Sequence, residues 1–139
     1  SVQMQRSLGN NLNEKASEIL EQITGGKYSK LLIDESLHME LLTEGRKIPI
    51  DRVSRGTIEQ IYFALRMAAV SVLHEEELPL ILDDTFAFYD ESRLKHTLKW
   101  LSGNKRQVLI FTCQRREREI LEELRIPYHK IDFGISGGK

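Results

Sequence analysis

Two adjacent carboxylates follow a short apolar run in the second half of the chain. Leu80, Ile81 and Leu82 predict a buried strand, and Asp83 and Asp84 come directly after it. Open α/β sheets place their ligands at the carboxyl ends of such strands. One carboxylate there can hold Mg²⁺ and a second can orient a nucleophilic water, and neighbouring strand residues point to opposite faces. The pair therefore favours metal–nucleotide chemistry, and two aspartates that only cap a helix or face solvent are the alternative.

A second group of polar residues stands at the start of the longest predicted helix. Ser54 and Gly56 place a hydroxyl, a glycine and free backbone N–H groups at the positive end of that helix, which suits a phosphate oxygen. Ser54 could donate its hydroxyl, and Gly56 would let an anion approach the backbone closely. An ordinary N-cap serine beside a glycine has the same pattern. Taken alone, this segment leaves both interpretations open.

The elements that must position these residues begin with a helix and a small sheet. Apolar residues at helical spacing predict a helix that ends near Gly25 and is clearest from Leu12 onwards. The residues before Leu12 are either the end of a longer helix or a linker. An antiparallel meander is predicted by three short β runs, at 31–33, 37–42 and 47–51. Pro49 would sit best at the edge of this meander or at a bulge.

Helices and strands alternate in the rest of the chain. The predicted order is helix, strand, helix, strand, helix and strand, at 57–74, 79–83, 90–101, 107–112, 115–124 and 128–133. Strands separated by helices at this spacing predict a parallel, right-handed βαβαβ unit. The predicted fold class is therefore α/β, with the antiparallel meander followed by this parallel unit.

The composition limits the classes of function. The chain has 139 residues, enough for one domain, and its 20 Lys and Arg nearly balance 21 Asp and Glu. The net charge thus predicts neither a nucleic-acid nor a membrane partner. Cys113 is the single cysteine, which excludes an internal disulfide framework and fits a reducing cytoplasm. Since no apolar run approaches the roughly 20 residues that span a bilayer, we expect a soluble cytoplasmic protein without a membrane partner.

Several further residues have simple structural explanations. Cys113, at the end of an apolar strand, is expected to be buried as a small hydrophobe. The charged residues at 115–119 are expected to form the solvated first turns of a helix, with DNA contact through the arginines as the alternative. Trp100 lies on the apolar face of its predicted helix, which favours core packing. Arg66 could face the surface or could couple the state of a bound nucleotide to neighbouring elements.

The motif-like segments follow one another in a recognisable order. The first opens a helix at 53–60, and the second is the strand with its two aspartates at 80–84. The third is the segment that follows at 85–90, and the fourth is the strand end at Gln114. In this order they resemble the signature motif, Walker B, the D-loop and the switch position of an ABC-type ATPase head. The chain resembles the C-terminal lobe of such a head. Within that class it is similar to the SMC-like branch that includes the double-strand-break repair ATPases, SbcC and the YhaN-type proteins.

The resemblance divides the chain into three parts. Residues 1–23 would be the helix by which a returning coiled coil enters the head, 24–133 the C-terminal lobe, and 134–139 a flexible tail. The sequence contains no Gly-x-x-x-x-Gly-Lys-Ser/Thr phosphate loop, which is the Walker A motif. In this family that loop lies in an N-terminal lobe beyond a long coiled coil. The isolated chain is therefore expected to be inactive.

The resemblance also implies roles for the motif residues. Asp83 would support Mg²⁺, Asp84 would replace the glutamate that polarises the attacking water, and Asp90 would lie at the interface of two heads. Asp84 is one methylene shorter than the usual glutamate, and Gln114 replaces a switch histidine and cannot titrate. Contacts with a nucleotide held mainly by the opposite head would come from the signature residues Ser54, Arg55, Gly56, Thr57 and Gln60.

The expected function follows from these roles. The chain would be the C-terminal half of an SMC-like head that binds and hydrolyses ATP with Mg²⁺ between two heads, and so drives a DNA-associated conformational change in repair or maintenance. The implied partners are the N-terminal Walker A lobe of the same protein, a second head, DNA and, as an option, a nuclease subunit. One alternative is an ATP-gated dimerisation module with little or no hydrolysis. Another is a metal-dependent nuclease that uses Asp83 and Asp84.

Overall fold

The computed structural model describes residues 1–104 and 106–134. In chain order its elements are α1 (Val2–Ile23), β1 (Lys30–Ile33), β2 (Met39–Thr43), β3 (Arg46–Pro49), a 3₁₀ turn (Ile50–Arg52), α2 (Arg55–Val72), β4 (Leu80–Asp83), α3 (Glu91–Ser102), β5 (Val108–Phe111) and α4 (Arg116–Glu123). The predicted α/β class, with an antiparallel sheet followed by a parallel one, is confirmed. Apart from Gly134, the predicted tail lies outside the described residues.

The meander buries one face of its three strands. β2 lies in the middle and pairs antiparallel with β1 and β3. Leu41 of β2 stands opposite Leu31 on one side and Ile48 on the other. Leu31 and Leu41 are fully buried. Pro49 ends the edge strand β3, as predicted, because its missing N–H is tolerated at an edge and not in a central strand.

Helix α1 is longer than the clearest part of its sequence pattern. It begins at Val2, so the residues before Leu12 belong to the helix. Its second half packs against α2 and β1, where the Ser17 hydroxyl accepts a hydrogen bond from the Leu31 N–H at 2.9 Å. Its first half carries the exposed apolar side chains of Val2, Met4 and Leu8. In the described ranges, no helix combines the length and the apolar character that crossing a membrane requires.

Strands β4 and β5 form the parallel pair. Leu80 stands opposite Val108, and Asp83 stands opposite Phe111. The predicted third strand at 128–133 is wrong for this chain, since residues 126–134 have no regular secondary structure. A strand needs a neighbour that accepts its backbone hydrogen bonds. Ile131 and Phe133 are 69% and 71% exposed, so the described part of the chain does not cover this segment.

An aromatic cluster joins α2, α3 and the loop after β4. The rings of Phe63 and Trp100 meet edge to face at 5.9 Å, and those of Phe86 and Tyr89 at 5.2 Å. Trp100 packs on this cluster as predicted, and its indole N–H donates to Oε1 of Gln22 on α1 at 2.6 Å. Phe86 is fully buried. The cluster therefore fixes the loop between β4 and α3 against α2.

Candidate functional site

The carboxyl ends of β4 and β5 bring three of the predicted site residues to one edge of the sheet. Asp83 ends β4, and the Asp84 N–H donates to the carbonyl of Phe111, the last residue of β5, at 2.9 Å. Gln114 follows, with its N–H donating to Thr112 Oγ1 at 3.0 Å. Asp83, Asp84 and Gln114 are all exposed. This edge therefore presents two carboxylates and an amide to solvent.

Asp84 leaves the strand conformation. Its φ of +52° lies in the left-handed region, which most residues with a side chain avoid. Aspartate tolerates this region better than glutamate does, because its short polar side chain can bond locally. The expectation that strand alternation separates Asp83 from Asp84 therefore does not apply, since the chain turns at Asp84. This backbone also gives a reason for aspartate at a position where the resemblance implies glutamate.

A shallow groove of about 270 Å³ separates α2 from the loop after β4. Asp84 lines it together with Glu59, Tyr62, Phe63, Arg66, Thr85 and Phe88. At its side, Nη2 of Arg66 donates to the carbonyl of Ile81 at 2.6 Å. Arg66 is exposed at the surface, as one of its two interpretations expected, and this hydrogen bond also connects α2 to β4.

Ser54 caps the amino end of α2. Its Oγ accepts a hydrogen bond from the Thr57 N–H at 3.2 Å, which is the N-cap arrangement. Ser54 and Arg55 are exposed at this end, whereas Gly56 and Thr57 are buried beneath them. The Arg55 guanidinium stacks 4.0 Å from the ring centroid of Phe88. This end of α2 therefore presents the Ser54 hydroxyl and the Arg55 guanidinium, whose Nε donates to Oε1 of Glu59 at 3.2 Å.

Arg93 connects the amino end of α2 to Asp90, and the sequence patterns did not indicate it. Its Nη2 donates to Ser54 Oγ at 3.1 Å and to Thr57 Oγ1 at 3.0 Å. Its Nε donates to Gln60 Oε1 at 3.1 Å, and its Nη1 forms an ion pair with Asp90. A signal did exist, because a cation in the first turn of a helix opposes the helix dipole and needs a specific partner.

Asp90 and Gln60 both serve contacts within the chain. Asp90 is the N-cap of α3, and its Oδ1 accepts from the Arg93 N–H at 2.8 Å. Gln60 is only 2% exposed, and its Nε2 donates to the carbonyl of Ile23 at 3.3 Å. Both ends of the Gln60 amide are therefore used inside the lobe. Among the predicted nucleotide contacts, Gln60 lies deepest below the surface formed by Ser54 and Arg55.

Gly56 is needed for packing inside the lobe. A Cβ at this position would lie 3.1 Å from Cδ and Nε of Arg93 and 3.2 Å from the carbonyl oxygen of Phe88. Such distances are tighter than ordinary van der Waals contacts, and the backbone oxygen cannot easily move away. The sequence explanation of Gly56 was the approach of an anion. The structure adds an internal reason, the approach of Arg93 and of the loop after β4.

Helix α4 supports that loop from the other side. Two nitrogens of the Arg116 guanidinium donate to the carbonyls of Phe86 and Tyr89. Glu117 is 5% exposed, so the prediction of solvated first turns at 115–119 is wrong for these two side chains. Their contacts are with residues far away in sequence, which the local charge pattern cannot indicate. Cys113 is exposed rather than buried, because β5 ends at Phe111.

The phenol of Tyr89 lies beneath α2. Its hydroxyl donates to the carbonyl of Glu59 at 3.5 Å. Burial raises the pKa of the Tyr89 phenol well above its usual range, and the charge of Glu59 acts in the same direction. The phenol is therefore neutral at any pH in which the protein would work, and Tyr89 is a packing residue with a polar end.

The donor set at the sheet edge fits magnesium. Mg²⁺ in nucleotide sites usually takes one or two carboxylates and completes its octahedron with phosphate oxygens and waters. Asp83 and Asp84 supply the carboxylates, and their exposure leaves room for the other ligands. Within residues 1–104 and 106–134, no group of three or more histidine, cysteine, aspartate or glutamate side chains is arranged around a common point.

The sequence is similar to segments of two curated proteins. It is 36% identical over 122 residues to the uncharacterized protein YhaN of Bacillus subtilis, covering 83% of this chain and 13% of that protein. It is 29% identical over 133 residues to the DNA double-strand break repair Rad50 ATPase of Pyrococcus abyssi, covering 94% of this chain and 15% of the relative. No family model matches the chain. The chain therefore spans about one seventh of the length of these relatives.

The fold is that of SMC ATPase heads. A structure from work on ATP-driven dimerization and DNA-stimulated activation of SMC ATPases matches with a TM-score of 0.69 at 16% identity, over 84% of this chain and 75% of that one. The SMC head domain of Thermotoga maritima matches with a TM-score of 0.64 at 16% identity, over 85% of this chain and 44% of that one.

These matches confirm the resemblance stated from the motifs. The chain is similar to the heads of SMC-like and Rad50-like ABC ATPases. In sequence it is similar to the corresponding parts of YhaN and of a Rad50 ATPase. Homology at this level supports a function related to an ATPase head.

Proposed function

We propose that the chain is the C-terminal half of an SMC-like ATPase head that binds and hydrolyses ATP between two heads. The observation that carries this proposal is the common edge at which β4 and β5 end, with Asp83 and Asp84 at the end of β4 and Gln114 shortly after the end of β5. The same lobe presents Ser54 and Arg55 at a separate exposed end of α2. One lobe thus has groups for chemistry and groups for recognition of a second nucleotide.

In this proposal the residues of the edge divide the chemistry of phosphoryl transfer. Asp83 holds Mg²⁺, Asp84 orients the attacking water, and Gln114 hydrogen-bonds near the γ-phosphate. Ser54 and Arg55 donate to the γ-phosphate of a nucleotide held mainly by the opposite head. Phosphoryl transfer depends largely on such positioning and on compensation of charge. Arg55 adds positive charge at a site where Gln114 cannot.

The exposed apolar residues around β4 and β5 support a missing lobe. Parallel sheets are almost always covered on both faces. Ile81 of β4 and Phe111 of β5 are 54% and 40% exposed, and the segment 126–134 is without a strand partner among the described residues. We infer that an N-terminal Walker A lobe of the same protein covers this region. The exposed stripe on α1 would likewise pack against the outgoing helix of a coiled coil.

DNA is a proposed partner of the complete protein. One relative is named for DNA double-strand break repair, and one structural neighbour comes from work on DNA-stimulated activation. By this analogy, DNA would regulate the ATPase cycle of the head. We propose no nuclease activity for this chain, and an associated nuclease subunit would be a separate protein.

Reconstitution of the head tests the proposal. This chain is combined with the phosphate-loop lobe of its own protein, and phosphate release is measured with and without DNA. The reconstituted head should hydrolyse ATP, Asp84→Asn should reduce the rate by about 100-fold or more, and the chain alone should be inactive. If this chain alone hydrolysed ATP as fast as the reconstituted head, the half-site interpretation would be wrong.

A second candidate function is an ATP-gated dimerisation module with little hydrolysis. The observation in its favour is the pair of departures at the sheet edge, a short Asp84 in a left-handed turn and an amide at Gln114. The two candidates differ in the effect of Asp84→Glu with Gln114→His. A large gain in hydrolysis without a change in dimerisation supports the module, whereas no gain indicates that the native residues are already competent.

A further inference from the structure

We propose that Arg93 is a positioning residue that makes the Ser54 hydroxyl a hydrogen-bond donor and links it to Asp90. This inference rests on the proposed function, in which Ser54 meets the γ-phosphate of the opposite nucleotide. Arg93 belongs to none of the motifs that the sequence indicates. Its role follows from hydrogen bonds that cross from the first turn of α3 to the first turn of α2.

A serine hydroxyl has one proton to donate and two lone pairs that accept. Ser54 Oγ accepts from the Thr57 N–H at 3.2 Å and from Arg93 Nη2 at 3.1 Å. Both lone pairs are then occupied. The proton of Ser54 is left to donate, either to Thr57 Oγ1 at 3.0 Å or to an arriving phosphate oxygen. A phosphate accepts only, so this orientation is the one that an anion requires.

The guanidinium reaches its partners in a way that only arginine can match. Nη1 pairs with Asp90, Nη2 serves Ser54 and Thr57, and Nε donates to Gln60. A planar fork with several fixed donors can hold such partners at once, whereas a lysine ammonium is a single point. Gln60 donates to the Ile23 carbonyl, and this fixes the orientation of the amide oxygen that accepts from Arg93.

Asp90 supplies the connection to the other head. Its two carboxylate oxygens are divided between the backbone N–H and the guanidinium of Arg93. In the proposed dimer Asp90 lies at the interface, so a displacement of Asp90 would shift Arg93 and change the hydrogen bonding of Ser54. Gly56 keeps this path open, because a side chain there would collide with Arg93.

The decisive experiment uses the reconstituted head with the variants Arg93→Met, Arg93→Lys and, as a matched control, Arg106→Met. Arg106 donates its Nε to the carbonyl of Glu76 at 2.9 Å and is not part of the signature contacts. Head dimerisation is measured by light scattering with a non-hydrolysable ATP analogue. Binding of the same analogue to monomeric heads is measured separately, because Ser54 should matter only for the second head.

Arg93→Met should weaken dimerisation about tenfold or more and leave nucleotide binding to the monomer unchanged, since hydrogen bonds to charged groups have effects of this size. Arg93→Lys should show the same loss although it keeps the charge. In the Ser54→Ala background, Arg93→Met should cause little further loss, because both changes remove the same contact. If Arg93→Met destabilises the fold, the comparison is made with Arg93→Lys.

Three outcomes would overturn this role for Arg93. The first is a dimerisation constant of Arg93→Met equal to that of the control Arg106→Met. The second is dimerisation of Arg93→Lys as strong as that of the wild type. The third is a double variant Ser54→Ala with Arg93→Met whose loss of dimerisation free energy equals the sum of the two single losses. Each of these leaves the proposed function intact when the wild-type head dimerises with ATP. A wild-type head that neither dimerises nor hydrolyses ATP would overturn the proposed function, and the role of Arg93 with it.

Discussion

Replacing Gln60 by methionine separates a packing role from a nucleotide contact. Methionine has a similar volume and shape, so the change removes the amide group and leaves little cavity. The buried carbonyl of Ile23 then loses its donor, and Nε of Arg93 loses its acceptor. An unpaired buried acceptor costs about 1–3 kcal/mol, and the bond to a charged group is of similar value. We therefore expect the free energy of unfolding to fall by about 2–4 kcal/mol.

The assay is urea unfolding of the reconstituted head, followed by far-UV circular dichroism. Gln5→Met is the matched control, because Gln5 is an exposed glutamine in a helix and should change stability by less than about 0.5 kcal/mol. Gln60→Met should weaken ATP-dependent dimerisation no more than Arg93→Met does, because its effect on dimerisation comes only from the lost hydrogen bond to Arg93. If Gln60→Met were as stable as Gln5→Met and still abolished nucleotide-dependent dimerisation, the inference from burial would be refuted and Gln60 would be a direct contact.

Further predictions concern the packing beneath the site. Phe86→Ala should destabilise the head by about 3–5 kcal/mol in urea unfolding, because the ring is fully buried among aromatic neighbours. The wild-type head should lose stability above about pH 10, because the unfolded Tyr89 phenol ionises there while the raised pKa keeps the folded phenol protonated. Tyr89→Phe removes this phenol, so the free energy of unfolding should fall less steeply with pH in that range. Gly56→Ala should weaken head dimerisation in the same direction as Arg93→Met, measured by the same light scattering, since the methyl group would displace Arg93.

Local patterns in the sequence predicted most of the elements. Apolar spacing indicated the long helices α1 and α2, and the strand end at Asp83 was visible because a continuous apolar run stops there. The 3₁₀ turn Ile50–Arg52 was not predicted, because the β run at 47–51 extended into it. The common edge of Asp83, Asp84 and Gln114 was also predictable, since parallel strands end on the same side. These features depend on residues close together in the chain, where periodicity carries the information.

Features that depend on distant residues could not be predicted in this way. Arg93 and Ser54 are 39 positions apart, and nothing in either local pattern indicates that they meet. The burial of Gln60 and Glu117 likewise results from packing between elements. The strand predicted at 128–133 failed for the opposite reason. Its alternation is clear, but a strand forms only where another strand offers hydrogen bonds.

The uncovered β4–β5 pair affects the risk that the lobe aggregates during translation. An uncovered strand edge is a template for pairing with a strand of another chain. Exposed apolar residues such as Ile81 and Phe111 add to the tendency of this region to aggregate. In a protein with the proposed order of lobes, the covering lobe would leave the ribosome first and be folded when this one emerges. The β4–β5 sheet would then pack against the folded covering lobe of its own protein and not against another chain. The order of the two lobes in the gene would thus protect the exposed sheet during translation.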